Sequence, residues 1–246
     1  MRKIPLIFSG IVSLVILLVA CSKADTAATG QTVYTAVATA FGAQIDLNNL
    51  ANYAAQSKPA YITKDNTGNN PIINAKATLG RVLFYDKKLS IDNTISCASC
   101  HKQAFAFSDN QLVSTGVAGG KTDRHSMRLV NERFGVETKF FWDERAASLE
   151  SQTTQPIADH NEMGFSGQAG RVGIAALLTK LQGVDYYNEL FKFVYGDITV
   201  TEPRLQECLA QFVRSIQSFD AKYDMGRVQV NNDRQPFPNF TAQENV

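Results

Sequence analysis

Five consecutive residues, Cys97-Ala98-Ser99-Cys100-His101, have the types and spacing of a covalent haem attachment site, C-x-x-C-H. Two thiols can form thioethers to the vinyl groups of a haem. The histidine follows the second Cys directly, so one helical turn presents both sulfurs and an imidazole to the same ring. His101 is then the proximal iron ligand, and whatever stands across the ring decides what the haem does. The chain holds four Cys and three His, and at that composition the pentapeptide arises by chance in about one chain in a thousand. Two other chemistries use C-x-x-C. A zinc site wants four ligands, and only Cys208, His125 and His160 remain to complete one. A dithiol redox pair needs no histidine and prefers a βαβ setting, which the sequence does not display.

The elements that must position this site are helical. Asn74 is placed to cap a helix through Leu79, Val82 and Leu83 that ends near Asp86. Ile45–Ala55 has helical spacing in Leu47, Leu50 and Tyr53, and residues 62–71 form a polar loop. Phe140 to Arg145 open a further helix through Ala146, Leu149 and Gln152, and a loop from Pro156 to Asn161 carries His160 and leads to Glu162. Ile174, Leu177, Leu178 and Leu181 make one stripe stopped by Gly183, and a helix from Asp185 ends at Gly196. Thr201 caps the longest helix, whose apolar positions Leu205, Leu209, Phe212, Ile216, Phe219 and Tyr223 keep one face. Cys208 lies on that stripe and reads as a small buried hydrophobe. The glycines of Gly116–Gly120 lack a phosphate-loop lysine and read as a bend. No strand-like alternation of useful length occurs. The expected fold is all-α, built round a haem.

The N-terminus reads as a targeting segment. Arg2-Lys3 precede an apolar run, Ile4 to Ala20, that stops at Cys21. The run is short for a membrane span, which needs about 20 residues. Leu18-Val19-Ala20-Cys21 resembles a bacterial lipobox, implying a signal peptide over 1–20, lipidation of Cys21 and export to the periplasm, with the lipid as the sole membrane contact. Residues 22–45 are rich in Ala, Thr and Gly and read as a flexible tether within a 21–70 extension. The haem domain spans 71–238. Formal net charge is +1, and nothing in it points to a nucleic-acid partner. Residues 239–246 contain Thr241 with Glu244 three positions on, a helix-start signal at the end of the chain, which reads as a chain that is cut short.

Four motifs together resemble the N-terminal half of bacterial dihaem cytochrome c peroxidases, the group that includes MauG. They are Leu79-Gly80-Arg81-Val82-Leu83-Phe84-Tyr85-Asp86, Ile95-Ser96 with Cys97 to His101, Phe141-Trp142-Asp143-x-Arg145-Ala146-Ala147, and Glu162-Met163-Gly164. The resemblance covers about residues 71–246, and it implies a class I-like cytochrome c haem domain with additional helices and, in residues 239–246, the start of a second cytochrome c domain. It implies one covalently bound haem c here and a second in the full-length protein, reduction of hydrogen peroxide to water, and electrons from a donor cytochrome or another small redox protein. It further implies that Trp142 relays electrons between haems, that Glu162 is the distal acid–base group, that Gln152 lines the distal pocket and that Arg145 pairs with a haem propionate. A calcium ion between domains and a homodimer also fall within the resemblance.

The chemistry fits those residue types. Peroxide binds as its anion, so a base must take a proton from one oxygen and return it to the oxygen that leaves. A carboxylate in a mostly apolar pocket has a raised proton affinity and can do both. Many members carry a further His after the haem motif that blocks the iron until reduction. The corresponding position here is near Val117, which leaves the distal side open, as in MauG-like members. His125 is the rival distal ligand, and Glu144 stands where the family usually has a small residue. Two other functions use the same motif. A single-haem electron carrier would place Met127, Met163 or His125 on the sixth position. A MauG-like oxidase would act on a protein or organic substrate from the same pocket.

Overall fold

The computed structural model describes residues 32–136 and 138–245, and those from Val33 onward form one compact unit. The proposed signal peptide and Cys21 lie outside the described residues. The helices are α1 (Thr35–Phe41), α2 (Asn74–Tyr85), α3 (Cys97–Cys100), α4 (Leu149–Thr153), α5 (Gln155–Ala158), α6 (Ile174–Gln182), α7 (Asp185–Tyr195), α8 (Glu202–Ser215) and α9 (Lys222–Arg227). Short 3-10 turns join several of them, and isolated bridges are the only β pairing among the described residues. No described helix is long and apolar enough to cross a membrane.

Helix α8 is the spine. Thr201 Oγ1 accepts the Arg204 N–H, which caps the helix as its residue type predicts. Its stripe of Leu205, Cys208, Leu209 and Phe212 is buried. Helix α2 crosses it with Leu79, Val82, Leu83 and Phe84 facing inward. The crossing is close because Gly80 has no side chain: a Cβ there would lie 1.9 Å from the Cys208 carbonyl oxygen. Leu177 and Leu181 of α6, and Tyr187, Leu190 and Phe191 of α7, close the same core. Each fully buried aliphatic side chain there contributes about 1.5–3 kcal/mol. Arg214, at the end of α8, is buried and paired with Glu150 of α4. Asn66 and Asn70 complete the network, tying the polar 66–73 loop to both helices.

Several expected boundaries move, each for a local reason. Residues 45–55 form turns. Asp46 accepts the Asn48 N–H, Asn52 accepts that of Ala55, and Asn74 Oδ1 accepts those of Tyr53 and Ala54. Such side-chain bonds compete with the helical ladder, yet Leu47 is still buried in the core. Asn74 therefore serves this turn, and Ile73 stands at the N-cap of α2. The end of the supposed tether folds as α1, because Glu189 of α7 accepts the Ala36 and Val37 N–H groups and Val37 is buried.

The helix expected from Phe140 starts only at Leu149, after Ser148 and Ser151 cap each other's backbone. Before it, Phe140 and Ala146 pair as an antiparallel bridge around Phe141 and Glu144, both at positive φ. Pro156 stands in the first turn of α5, where its missing N–H costs nothing. The stripe of α8 continues to Tyr223 in sequence, but the helix stops at Ser215. Asn131 takes the Ile216 carbonyl and both backbone groups of Ser218, and α9 begins afresh at Lys222. Thr241 and Glu244 form both halves of the capping box, and the segment they close is a turn.

Candidate haem site

Helix α3 is a single turn whose ends are fixed by small polar groups. The Ser99 hydroxyl accepts the Ser96 N–H at 3.0 Å, and the His101 N–H closes on the Cys97 carbonyl at 2.9 Å. This turn presents Cys97, Cys100 and His101 together. The 102–108 turn, closed by the Lys102–Ser108 bridge, runs through Ala106 and Phe107 at positive φ. It aims the Phe107 carbonyl at His101, whose Nδ1–H donates to it at 2.9 Å. The Ser126 hydroxyl lies 3.2 Å from the same nitrogen. That bond sets the tautomer and leaves Nε2 with its lone pair, the arrangement metal-bound histidines use. Burial also pushes the imidazole towards its neutral form. Phe84 stands 6.4 Å from the His101 ring, ring centre to ring centre.

The donor set fits haem better than its rivals. Burial pushes the Cys97 thiol up to about 12 and raises that of Cys100. Neither is a thiolate at neutral pH in the metal-free chain, which disfavours dithiol redox chemistry. A thioether is neutral and carries no such cost. Among the described residues no three His, Cys, Asp or Glu converge as a metal site, so no carboxylate cluster stands ready for calcium.

Glu162 is set by three devices. Asp159, just past α5, accepts the Asn161 and Glu162 N–H groups at 2.8 and 3.0 Å. The Val117 N–H donates to the Glu162 carbonyl at 3.0 Å. Gly116 lets the 116–120 bend press on this backbone: a Cβ there would lie 2.0 Å from the Asn161 oxygen and 2.8 Å from Glu162 Cα. The side chain is half-buried. Desolvation, then the charge of Asp159, push its carboxyl up to about 7, and Arg145 partly offsets them. A negative charge on Glu162 raises both the Cys97 and the Cys100 thiol, so the carboxyl lies within electrostatic range of the pentapeptide.

The other expected residues are placed less uniformly. Arg145 is exposed, bridges Asp143 at 2.9 Å and stacks over Phe141 with its guanidinium carbon 3.5 Å from the ring centre. Asp143 also pairs with Arg124 at 2.7 Å. Trp142 is 59% exposed, and its indole N–H donates to the His125 carbonyl. With Leu112, Val113, Asp123, Arg124 and His125 it lines an open cavity of about 570 Å³. Gln152 is half-buried on α4 and makes no side-chain hydrogen bond to Glu162 among the described residues. His125 meets the Gln111 carbonyl through Nδ1 and the Ser108 hydroxyl through Nε2, so both ring nitrogens are engaged. His160 holds the Ser166 hydroxyl in the neighbouring loop. Cys208 is fully buried and its thiol is pushed up to about 12 by burial, as expected of a core thiol.

Sequence reasoning missed the Phe107 carbonyl, Ser126, Asp159 and the role of Gly116. A backbone acceptor has no sequence signal. Asp159-x-x-Glu162 does resemble an Asx turn in its spacing, and Gly116 could have been read as a close approach and not only as a bend.

The sequence profile of the di-haem cytochrome c peroxidase family matches residues 74–232, and the chain belongs to that family. It is 32% identical over 155 residues to the methylamine utilization protein MauG of Methylophilus methylotrophus, covering 63% of this chain and 44% of that one. It is 31% identical over 148 residues to the cytochrome c551 peroxidase of Nitrosomonas europaea, covering 60% and 42%. A crystal structure of a MauG-like protein associated with microbial copper homeostasis matches with a TM-score of 0.56 and 31% identity, covering 68% and 48%. The diheme peroxidase BthA from Burkholderia thailandensis shares the fold, with a TM-score of 0.51 and 22% identity over 72% and 44%. The chain thus matches less than half the length of these relatives.

Proposed function

We propose that this chain is the peroxide-reacting half of a c-type haem peroxidase that reduces hydrogen peroxide to water. Cys97 and Cys100 would carry the haem as thioethers, and His101 Nε2 would bind its iron. The haem supplies the iron that peroxide meets and the store of oxidising equivalents. The carrying observation is a half-buried carboxylate, Glu162, whose backbone is held by Asp159 and Val117 within electrostatic range of Cys97 and Cys100, with a proton affinity near neutrality. As carboxylate, Glu162 takes the proton from the peroxide oxygen nearer the haem. As acid, it returns the proton to the far oxygen, which leaves as water. The charge of Arg145 limits how far the proton affinity of Glu162 rises. Electrons would enter from a donor cytochrome or similar small carrier, through a second haem domain, with Trp142 as the exposed relay. Export to the periplasm with Cys21 lipidated completes the reading.

His125 and Met163 are poor sixth ligands for the alternative, an electron carrier. His125 spends both ring nitrogens, and Met163 is buried in the core. Oxidation of a protein or organic substrate, as in a MauG-like enzyme, would use the same pocket, and the likeness to MauG keeps it as the second reading. Peroxide turnover with a reduced cytochrome separates the two. The variant Glu162→Gln should keep its haem and lose peroxide consumption by at least about tenfold, the usual effect of removing a general acid–base group. Unchanged consumption would remove Glu162 from the mechanism.

A further inference from the structure

Two adjacent tyrosines on α7 share one carboxylate. Tyr186 and Tyr187 both donate their phenolic hydroxyls to Asp86 Oδ2, at 2.6 and 2.9 Å. Asp86 Oδ1 is already taken by the Lys88 N–H at 2.8 Å. The two rings lie 4.8 Å apart, centre to centre. Tyr187 is fully buried, whereas Tyr186 is half-buried and touches Phe41 of α1 at 5.1 Å. A buried phenol needs one hydrogen-bond partner, and packing alone does not require two phenols on a single oxygen. Cys97 packs on the core cluster that includes Tyr187. That places Cys97, the proposed thioether residue, on the same core as the tyrosine pair.

We propose that Tyr187 and Tyr186, sharing the Asp86 carboxylate at the core on which Cys97 packs, are a redox-active pair that supplies an electron to the haem site when peroxide has oxidised it and no donor is present. This inference rests on the peroxide reading above. Hydrogen peroxide is the oxidant and removes two electrons from the haem site. Tyr187 returns one of them. As it does so its O–H bond breaks, the proton goes to Asp86 Oδ2, and a neutral phenoxyl remains. An electron and a proton then pass from Tyr186. The electron fills the Tyr187 vacancy, Tyr187 regains the proton held on Asp86, and the Tyr186 proton takes its place. The vacancy now sits on the half-buried ring. There a small one-electron reductant from solvent restores Tyr186, with the proton returning from Asp86. Lys88 lies 5.7 Å over the Tyr186 ring, and its charge disfavours a radical cation, so loss of the proton to Asp86 is what makes the step accessible.

The test uses the full-length haem-loaded protein as its host makes it, mixed with hydrogen peroxide without donor and freeze-quenched for electron paramagnetic resonance. A tyrosyl signal that narrows with ring-deuterated tyrosine is expected. It should be lost in Tyr187→Phe and change its hyperfine pattern in Tyr186→Phe, while both variants consume the first peroxide as the parent does. Should Tyr187→Phe load no haem, Asp86→Asn carries the test, because weakening the proton acceptor should also abolish the signal. Peroxide consumption without any tyrosyl signal, or with the same signal in every variant, overturns the pair and leaves the peroxidase reading standing. A haem that does not react with peroxide overturns both.

Discussion

Gly116→Ala perturbs the position of Glu162 without touching its chemistry. The backbone at Gly116, φ −100 and ψ −158, is open to alanine, so the effect is purely one of space. The new methyl would stand 2.0 Å from the Asn161 oxygen and 2.6 Å from the Glu162 oxygen, against ordinary contacts of 3.4 Å or more. Backbone lies on both sides, so no flexible side chain can absorb the overlap. The 116–120 bend and the 161–162 segment must part by more than an ångström, and the Val117 to Glu162 bond lengthens with them. Overpacking of this kind costs about 1–3 kcal/mol of stability. A misplacement of about 1 Å at a catalytic group can cost about 100-fold in rate. Haem content should therefore hold, the melting temperature should fall by a few degrees, and peroxide consumption should drop by about two orders of magnitude. Combined with Glu162→Gln, the loss should be far less than additive, because both changes remove the same function. Wild-type consumption in a folded Gly116→Ala protein would refute the idea that this contact sets Glu162.

Other outcomes follow from the packing and the charges. Gly80→Ala should gain up to about 1 kcal/mol in helix propensity, yet the overlap with the Cys208 carbonyl outweighs it. The guanidinium midpoint should fall, and a rise would contradict the α2–α8 crossing. Asp109 is buried, and although burial raises its carboxyl, hydrogen bonds from Lys102 and Ser114 hold it at about 2. With its folded value below its unfolded one, its contribution to stability is complete above the unfolded value of about 4 and disappears as the pH falls toward 2. Asp109→Asn should be less stable at neutral pH and should lose that part of the acid dependence. Parallel acid titrations of both proteins would expose the opposite result.

Much of the helical frame was legible because its signals are local and periodic. The stripe of Leu177 and Leu181, the glycines at 183 and 196, and the Thr201 cap each act within a turn or two of chain. The boundaries that moved were decided by partners far away in sequence. Glu189 caps α1, Asn131 ends α8, and Asn74 spends its side chain on Tyr53 and Ala54. None of these pairings leaves a trace in spacing. The haem pentapeptide was legible because its chemistry and its helix are the same five residues. Glu162 was visible only through resemblance, since one loop carboxylate looks like any other. Its raised proton affinity arises from burial and from Asp159, which only the folded chain brings to bear.

The pH profile of peroxide consumption by the haem-loaded protein tests the central claim most directly. Glu162 must be a carboxylate to accept the proton from peroxide, and its carboxyl titrates near 7. Consumption should rise as the pH increases through about 7 and then level off, with the step absent in Glu162→Gln. A profile that stays flat across neutrality in the wild type, or that keeps its step in Glu162→Gln, would contradict the account.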